Sequence, residues 1–295
     1  MLGKGLERLV ARRLAWTAVR EKIIHPQYIA ALPGRSAVDL AAAVIHDVEE
    51  SWARGKVATL LTLDVRGAFD AVLPGRLIRR LHEQGWPSNV MRWVASFISQ
   101  RSAAVRLDSE TGTTVQIQSG LPQGSPTSPI LFMLFMQPLF TLGSRDRKRA
   151  RFGYADDISL LSASNSLESN CETLERDSNT IVEWARLEGL TFDAKKSELI
   201  HFTSDSNPGV RIRLGPEEEH TVQPTEEDKP VRWLGVLLDR KLTFKAHVAA
   251  MAAKAAGHAA GIKALGNTVR GAPPRLLRQA VQACVVPVLC YGAEA

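Results

Sequence analysis

Cysteine is scarce: three occur in 295 residues, Cys171, Cys284 and Cys290, too few and too widely spaced for a zinc site or a disulfide framework. They read as small apolar residues in a reducing compartment. Long apolar runs are missing as well. The most apolar stretch, Pro129 to Leu142, is too short to span a bilayer and carries Gln137-Pro138 inside it, so no membrane partner is expected. No internal repeat is visible. Nor is there a large excess of one charge: Lys plus Arg number 37 against 31 Asp plus Glu, with a pI near 9.4. That modest surplus favours a polyanionic partner without proving one.

What is present is an ordinary globular composition, 45% hydrophobic and 23% charged, long enough for one large domain or two smaller ones around a sizeable core. The opening MLGKGLERLVARRLAW is basic and amphipathic, as a mitochondrial transit peptide is. Glu7 and the lack of serine argue against that, and Leu2, Leu6, Leu9, Val10 and Leu14 suit a helix packed on a domain. The strongest shift in composition is Ser204 to Pro230, where SDSNPG, the acid run Glu217 to Glu219 and TEEDKP predict a loop or solvent-facing hairpin.

Elsewhere the pattern predicts an α+β domain, a mainly antiparallel sheet with helices on one side. Residues 4 to 24 and 36 to 54 carry helical spacing on either side of the irregular HPQYIAALPGR. Val57 to Val65 is nearly all apolar or β-branched, as in a strand covered on both faces. Helices follow at Pro74 to Gln84 and Pro87 to Gln100, each opened by a proline suited to the first turn. Ala103 to Leu107 and Thr113 to Ser119 predict a hairpin around Asp108 to Gly112. Ser128 is placed to cap a helix whose first residue is Pro129, which would pin GLPQGS ahead of a helix N-terminus. Ala150 to Tyr154 and Ile158 to Leu161 read as strands, Ser166 to Glu188 as a helix, and Glu198 to Phe202 and Val231 to Leu238 as strands. From Phe244 the pattern is helical to the end, broken near Gly271 to Pro274.

Three blocks carry chemistry: LTLDVRGAFD, with Asp64 ending an apolar run; GLPQGSPTSP, from Gly120 to Pro129; and FGYADD, with Asp156 beside Asp157. Asp64 alone reads equally well as a helix cap or a salt-bridge member. Two adjacent acids in an apolar hairpin are harder to explain structurally, because their repulsion and desolvation destabilise the fold unless a cation neutralises them. Mg²⁺ with substrate phosphates is the natural neutraliser, and three such carboxylates suit two-metal phosphoryl transfer. Polymerases and nucleases share that arrangement.

The blocks and their order resemble the reverse transcriptases of non-LTR (LINE-type) retrotransposons across nearly the whole chain. GKGLERLVARRL is similar to the opening motif of that domain, HPQYIAALPGRSAVDL to its fingers segment, and LTLDVRGAFDAV, GLPQGSPTSP, FGYADD, GLTFDAKKSELIHF and RWLGVLLD to motifs A to E. The resemblance implies a right-hand polymerase fold, with residues 1–239 forming fingers and palm and 240–295 the start of a helical thumb that relatives continue. It implies Asp64, Asp156 and Asp157 as the catalytic acids, holding two Mg²⁺ ions, or Mn²⁺ in their place, with the carbonyl of Val65 as a further ligand. Phe69 falls where the family excludes a 2′-hydroxyl, and Gln123 and Gly124 where nucleotide and template are contacted. Arg35 falls at a triphosphate grip, although Leu32 stands where relatives often carry an additional arginine. Lys196, beside Lys195, matches a lysine that protonates departing pyrophosphate. Trp233, Leu234 and Gly235 match a primer-holding hairpin, and Lys241, Lys245, Lys254, Lys263, Arg270, Arg275 and Arg278 are available to duplex phosphates. An RNA template, a DNA primer and dNTPs are the implied partners, in nucleus and cytoplasm.

Taken from the residues alone, Phe69 reads first as a core aromatic and Asp70 as structural, while Lys195, Lys196 and the tail cations read equally well as solvated. Three other readings compete with the resemblance. An RNA-dependent RNA polymerase shares the palm, but Phe69 and LPQG favour dNTPs. A group II intron maturase or retron enzyme shares the chemistry, but GKGLERL and AFDAV suit the retrotransposon group better. A catalytically silent remnant that binds nucleic acid is the third; intact acids oppose it, whereas a chain that starts inside the opening motif and ends at CYGAEA favours it.

Overall fold

The computed structural model describes residues 2–30, 32–108, 110–143, 149–203, 209–215, 220–226, 229–266 and 271–295. The acid run Glu217 to Glu219 and the tail cation Arg270 lie outside them. The chain opens with α1 (Leu2–Arg20), which buries Leu14, Ala15 and Ala18. Helix α2 (Ala37–Ala53) begins at a reciprocal cap: the Asp39 amide donates to the Ser36 hydroxyl at 3.1 Å, and the Ser36 amide to the Asp39 carboxylate at 2.7 Å. Strand β1 (Val57–Asp64) follows, then α3 (Pro74–Glu83) and α4 (Ser88–Ile98), with Pro87 just outside α4 at its cap position.

The expected hairpin is a broken ribbon. β2 (Arg101–Ala103) pairs with β5 (Val115–Ile117), and farther out β3 (Arg106–Leu107) pairs with β4 (Glu110–Thr111). Helix α5 (Ser128–Met136) is apolar on every side and buried throughout except at Pro129, the pattern of a central core helix. Its start departs from expectation. Thr127, not Ser128, holds the cap position, and the Ser128 hydroxyl donates instead to the Pro122 carbonyl at 2.7 Å, folding the preceding loop onto the helix.

β6 (Arg149–Tyr154) and β7 (Asp157–Ser164) form the FGYADD hairpin, followed by α6 (Leu167–Glu188) and β8 (Glu198–Phe202). A small hairpin, β9 (Ile212–Leu214) with β10 (His220–Val222), lies in the polar segment. Val231 to Leu238 is not one strand. It folds back as β11 (Val231–Trp233) and β12 (Val236–Leu238), turning at Leu234-Gly235, whose φ angles of 48° and 81° are both positive, as a tight primed hairpin turn requires. The tail comprises α7 (Lys245–Ala264), α8 (Pro274–Ala280), a π turn at Val281–Val285 and α9 (Val286–Leu289).

Four antiparallel strands in the order β6-β7-β1-β8 make the central sheet. Alternation along β1 sends Leu61 and Leu63 into a core shared with α1, α3, α5 and α6, and sends Ala58 and Leu60 into a second core built from α2 and the β11–β12 hairpin. Helices therefore cover both faces, not one, because the apolar stripe of α2 (Leu40, Ala41, Val44, Ile45, Val48) needs a sheet face of its own. A buried ion pair between Arg151 and Asp177 ties β6 to α6. Among the described residues no helix is long and apolar enough to cross a membrane.

Candidate active site

The site begins with register. β1 and β7 pair along their full length, and the last pair sets Asp64 opposite Asp157, so both side chains leave the sheet on one face about 5 Å apart at their Cα atoms. Asp156 is one residue back, in the two-residue loop Ala155-Asp156 that joins Tyr154 to Asp157. Ala155 there has φ 56°, a left-handed conformation that alanine adopts only when its surroundings enforce it. The enforcing contact comes from the HPQYIA segment. Residues 27–29 run beside β6 and exchange backbone bonds with Gly153, and the buried phenol of Tyr28 donates to the Ala155 carbonyl at 2.8 Å. Burial and the Asp156 charge both push the Tyr28 pKa up, which keeps it a donor. Gly153 is required for this approach, since a Cβ there would come within 2.4 Å of Phe140 and 2.7 Å of Tyr28.

The far side of Asp64 is equally fixed. Its carbonyl accepts from the Asp193 amide, and the Arg66 amide donates to Thr191, each at 2.8 Å. These flanking bonds form the Val65–Phe192 bridge and leave the Val65 carbonyl out of it. The turn from Asp193 into Ala194–Lys196 brings the Lys196 ammonium to 2.9 Å from Asp64 Oδ2. That hydrogen bond, with the Asp64 charge behind it, raises the lysine's pKa. Asp157 is shifted upward too, first by partial desolvation of its carboxyl and then by the Asp156 and Asp64 charges. A cleft of about 200 Å³ opens here, lined among others by Asp64, Asp157, Lys196, Glu198, Trp233 and Leu234.

Carboxylate oxygens in mutual repulsion are the donor set of a hard divalent cation, and the Lys196 ammonium is a monovalent stand-in on one of them. Among the described residues no three acidic, His or Cys side chains already close into a metal cage.

The GLPQGSPTSP loop is laced to the turn after β1. Leu121 donates to the Phe69 carbonyl at 2.7 Å, Gly120 to Val72 at 2.8 Å, and Gln123 Nε2 to both carboxyl oxygens of Asp70 at 3.2 and 3.3 Å. Gly120, at φ 85°, has no room for a Cβ, which would lie 2.8 Å from the Asp70 Cα. Arg101 clamps the loop's start, donating to the Ser119 and Gly120 carbonyls at 2.6 Å. Phe69 packs on Phe132 at 5.1 Å and, with Gln123, Gly124, Ser125 and Pro126, lines a cavity of about 480 Å³.

Trp233 and Leu234 thus join Asp64 and Lys196 at one cleft, while Gly235 forms the turn behind it. Among the described residues the buried Trp233 indole N–H has no hydrogen-bond partner. Arg35 is not brought in: it is exposed on the turn before α2 and lines neither cavity. The tail cations Lys241, Lys245, Lys254, Lys263, Arg275 and Arg278 lie in or around α7 and α8 and line neither of these cavities. Sequence reasoning missed Tyr28, Glu198, Arg101 and Tyr291, whose phenol donates to the Leu234 carbonyl at 2.7 Å. Only Glu198 carried a signal, an acid two residues after Lys196 at the start of a strand.

Compared with known proteins, residues 1–238 match the family described as reverse transcriptase (RNA-dependent DNA polymerase). Among curated proteins, the chain is 26% identical over 251 residues to the probable RNA-directed DNA polymerase from transposon X-element of Drosophila melanogaster, covering 84% of this chain and 26% of that protein. It is 25% identical over 297 residues to the corresponding protein from transposon BS of the same fly, covering 99% and 32%. The chain thus spans about a quarter to a third of the length of these relatives. Apo telomerase from Candida tropicalis shares the fold, with a TM-score of 0.58 at 9% identity over 99% of this chain and 50% of that one.

Proposed function

The chain belongs to the reverse transcriptase (RNA-dependent DNA polymerase) family, and on that premise we propose that it is the RNA-directed DNA polymerase of a non-LTR retrotransposon. In this reading it adds dNTPs to a DNA primer 3′ end on an RNA template. The observation that carries the proposal is the pairing of Asp64 with Asp157, with Asp156 in the adjoining turn. Carboxyls that raise one another's energy at a cleft mouth call for a cation, and divalent metal chemistry is typical of the family.

Asp64, Asp156 and Asp157, with the Val65 carbonyl, are the residues that would hold two Mg²⁺ ions, for which Mn²⁺ can substitute. Two such ions would supply a lowered pKa for the attacking hydroxyl and a counter-charge for the departing pyrophosphate. Lys196 stays protonated beside Asp64 and, released from it, is the proton donor to the leaving group. Phe69, beside the cavity of Gln123 and Gly124, excludes a 2′-hydroxyl by size. Arg35 reaches the triphosphate only if its turn closes over the site. Trp233, Leu234 and Gly235 hold the primer, and the tail cations meet duplex phosphates. Residues 1–239 would then serve as fingers and palm, and 240–295 as the start of the thumb.

Primer extension on poly(rA)/oligo(dT) with Mg²⁺ tests the proposal. Extension is expected with the unaltered chain, absent in Asp156→Asn, and extended to rNTPs in Phe69→Val. An equally active Asp156→Asn would overturn the mechanism. Template–primer binding without incorporation would instead leave a silent nucleic-acid-binding remnant.

A further inference from the structure

The loop that carries Gln123 and Gly124 is gripped from two sides, and the second grip comes from the opening helix. Glu7 is the only acid on α1. The basic residues Arg8, Arg12 and Arg13 are exposed, whereas Glu7 turns inward, its side chain 20% exposed. Its Oε2 accepts from the Ser125 hydroxyl at 2.6 Å, the short distance of a charge-assisted bond. The same Ser125 oxygen accepts from the Thr127 amide at 3.1 Å, and the Thr127 hydroxyl donates to the Glu7 carbonyl at 3.1 Å. Lys4 completes the clasp, reaching Glu7 Oε2 at 3.4 Å and the Gly124 carbonyl at 3.3 Å.

Between this clasp and the Asp70–Gln123 contact lies Gly124, at φ 79° with open space where a Cβ would stand. Apart from the Lys4 contact to its carbonyl, the peptide facing the Phe69 cavity is thus held by its neighbours. Ser125 is buried, so its hydroxyl has no water to fall back on if the Glu7 carboxylate is removed, whereas the Thr127 hydroxyl keeps the main-chain carbonyl of residue 7.

We propose that Glu7 is a positioning residue for the nucleotide-binding loop, setting the place of Gln123 and Gly124 through Ser125 without touching the substrate. This rests on the polymerase reading above. A residue acting this way alters how well the nucleotide is held and leaves the phosphoryl transfer step nearly unchanged.

Two measurements on the full chain test it. In primer extension, Glu7→Ala is expected to raise the KM for dNTP about tenfold with kcat within about twofold. Glu7→Gln, which keeps an acceptor, should restore most of the loss. Ser125→Ala should match Glu7→Ala, and the double variant should add less than a further twofold. In amide hydrogen exchange without substrate, Glu7→Ala should speed exchange at residues 121–127 about tenfold and leave β1 and β7 protected, whereas Glu7→Gln should not. If the unaltered chain extends no primer, the polymerase reading fails, and the exchange measurement still decides the role of Glu7. A Gln variant as damaged as the Ala variant, a kcat loss at constant KM, or unchanged exchange in the loop would overturn the proposal.

Discussion

The phenol of Tyr28 donates a 2.8 Å hydrogen bond to the carbonyl of Ala155, a residue 127 positions away at the tip of the turn that carries Asp156. The left-handed backbone of Ala155 is costly for a residue with a Cβ, and this bond helps hold it. Tyr28→Phe removes the bond and keeps the ring stacked on Phe140 at 4.5 Å. The expected outcome is a stability loss of about 1 kcal/mol and a kcat reduced about threefold to tenfold, since the turn then places Asp156 less firmly. Gly153→Ala should be worse, by about 1–3 kcal/mol, because the added methyl overlaps both rings. Chemical denaturation and single-turnover extension measure the two effects. A Tyr28→Phe enzyme with unaltered kcat would mean that the turn holds itself.

Asp157 should make the metal-free protein less stable at neutral pH. Its carboxyl binds protons more readily in the folded chain than in the unfolded one, so its charge weakens the fold above the folded pKa. That loss disappears as pH falls through the raised value toward the ordinary carboxylate range. Asp157→Asn is therefore expected to raise the metal-free Tm at pH 7 by about 1–3 °C, a small figure because the group is exposed to solvent. The difference should shrink toward pH 4. A variant equally or less stable at pH 7 would show that the Lys196 ammonium at 2.9 Å from Asp64 already neutralises the cluster.

The Arg151–Asp177 pair is a structural counterpart to the acids at the cleft. Both partners are buried, Arg151 also donates to the Leu139 carbonyl, and the pair fastens the β6 arm of the FGYADD hairpin to α6. Asp177→Asn leaves the guanidinium buried without its counter-charge, for an expected loss of about 3–5 kcal/mol. Urea unfolding should show a lower midpoint at unchanged slope. A loss under about 1 kcal/mol would mean that water reaches the arginine.

What the sequence disclosed and what it hid divide along a physical line. Strand β1, helix α6 and the hairpin around Asp156 were legible because period and burial write themselves into consecutive residues, and the Asp64–Asp157 register follows once those strands pair. Expectation failed at Ser128, displaced as a cap because its hydroxyl found the Pro122 carbonyl, and at Val231–Leu238, read as one strand because Leu234 carries no sign of a positive φ. The one-sided sheet failed because helical periodicity does not say which sheet face a helix will cover, and α2 took the second face. Tyr28, Arg101 and Tyr291 were invisible for a shared reason. Each bonds a backbone carbonyl distant in the chain, and a carbonyl leaves no mark in the sequence.

Tyr291 gives the last test. Its hydroxyl donates to the Leu234 carbonyl at 2.7 Å and its ring lies 3.0 Å from where a Cβ on Gly235 would stand, so the tail braces the turn beside the acidic cleft. His247 fixes the brace in turn: Nδ1 accepts from the Leu237 amide at 3.3 Å, which leaves Nε2 as the donor to the Tyr291 carbonyl at 2.8 Å. Leu234 holds φ 48°, a strain of about 1–2 kcal/mol for a residue with a side chain. Tyr291→Phe should loosen this turn and weaken template–primer binding about fivefold, with the KM for dNTP little changed, because the Phe69 cavity lies on other elements. Leu234→Gly should relieve the strain and offset the stability loss of Tyr291→Phe, yet not restore primer affinity, since the side chain lining the cleft is gone. Fluorescence anisotropy with labelled primer–template, read beside the dNTP KM, separates these outcomes. Equal primer affinity in Tyr291→Phe would show that the turn keeps its shape without the tail.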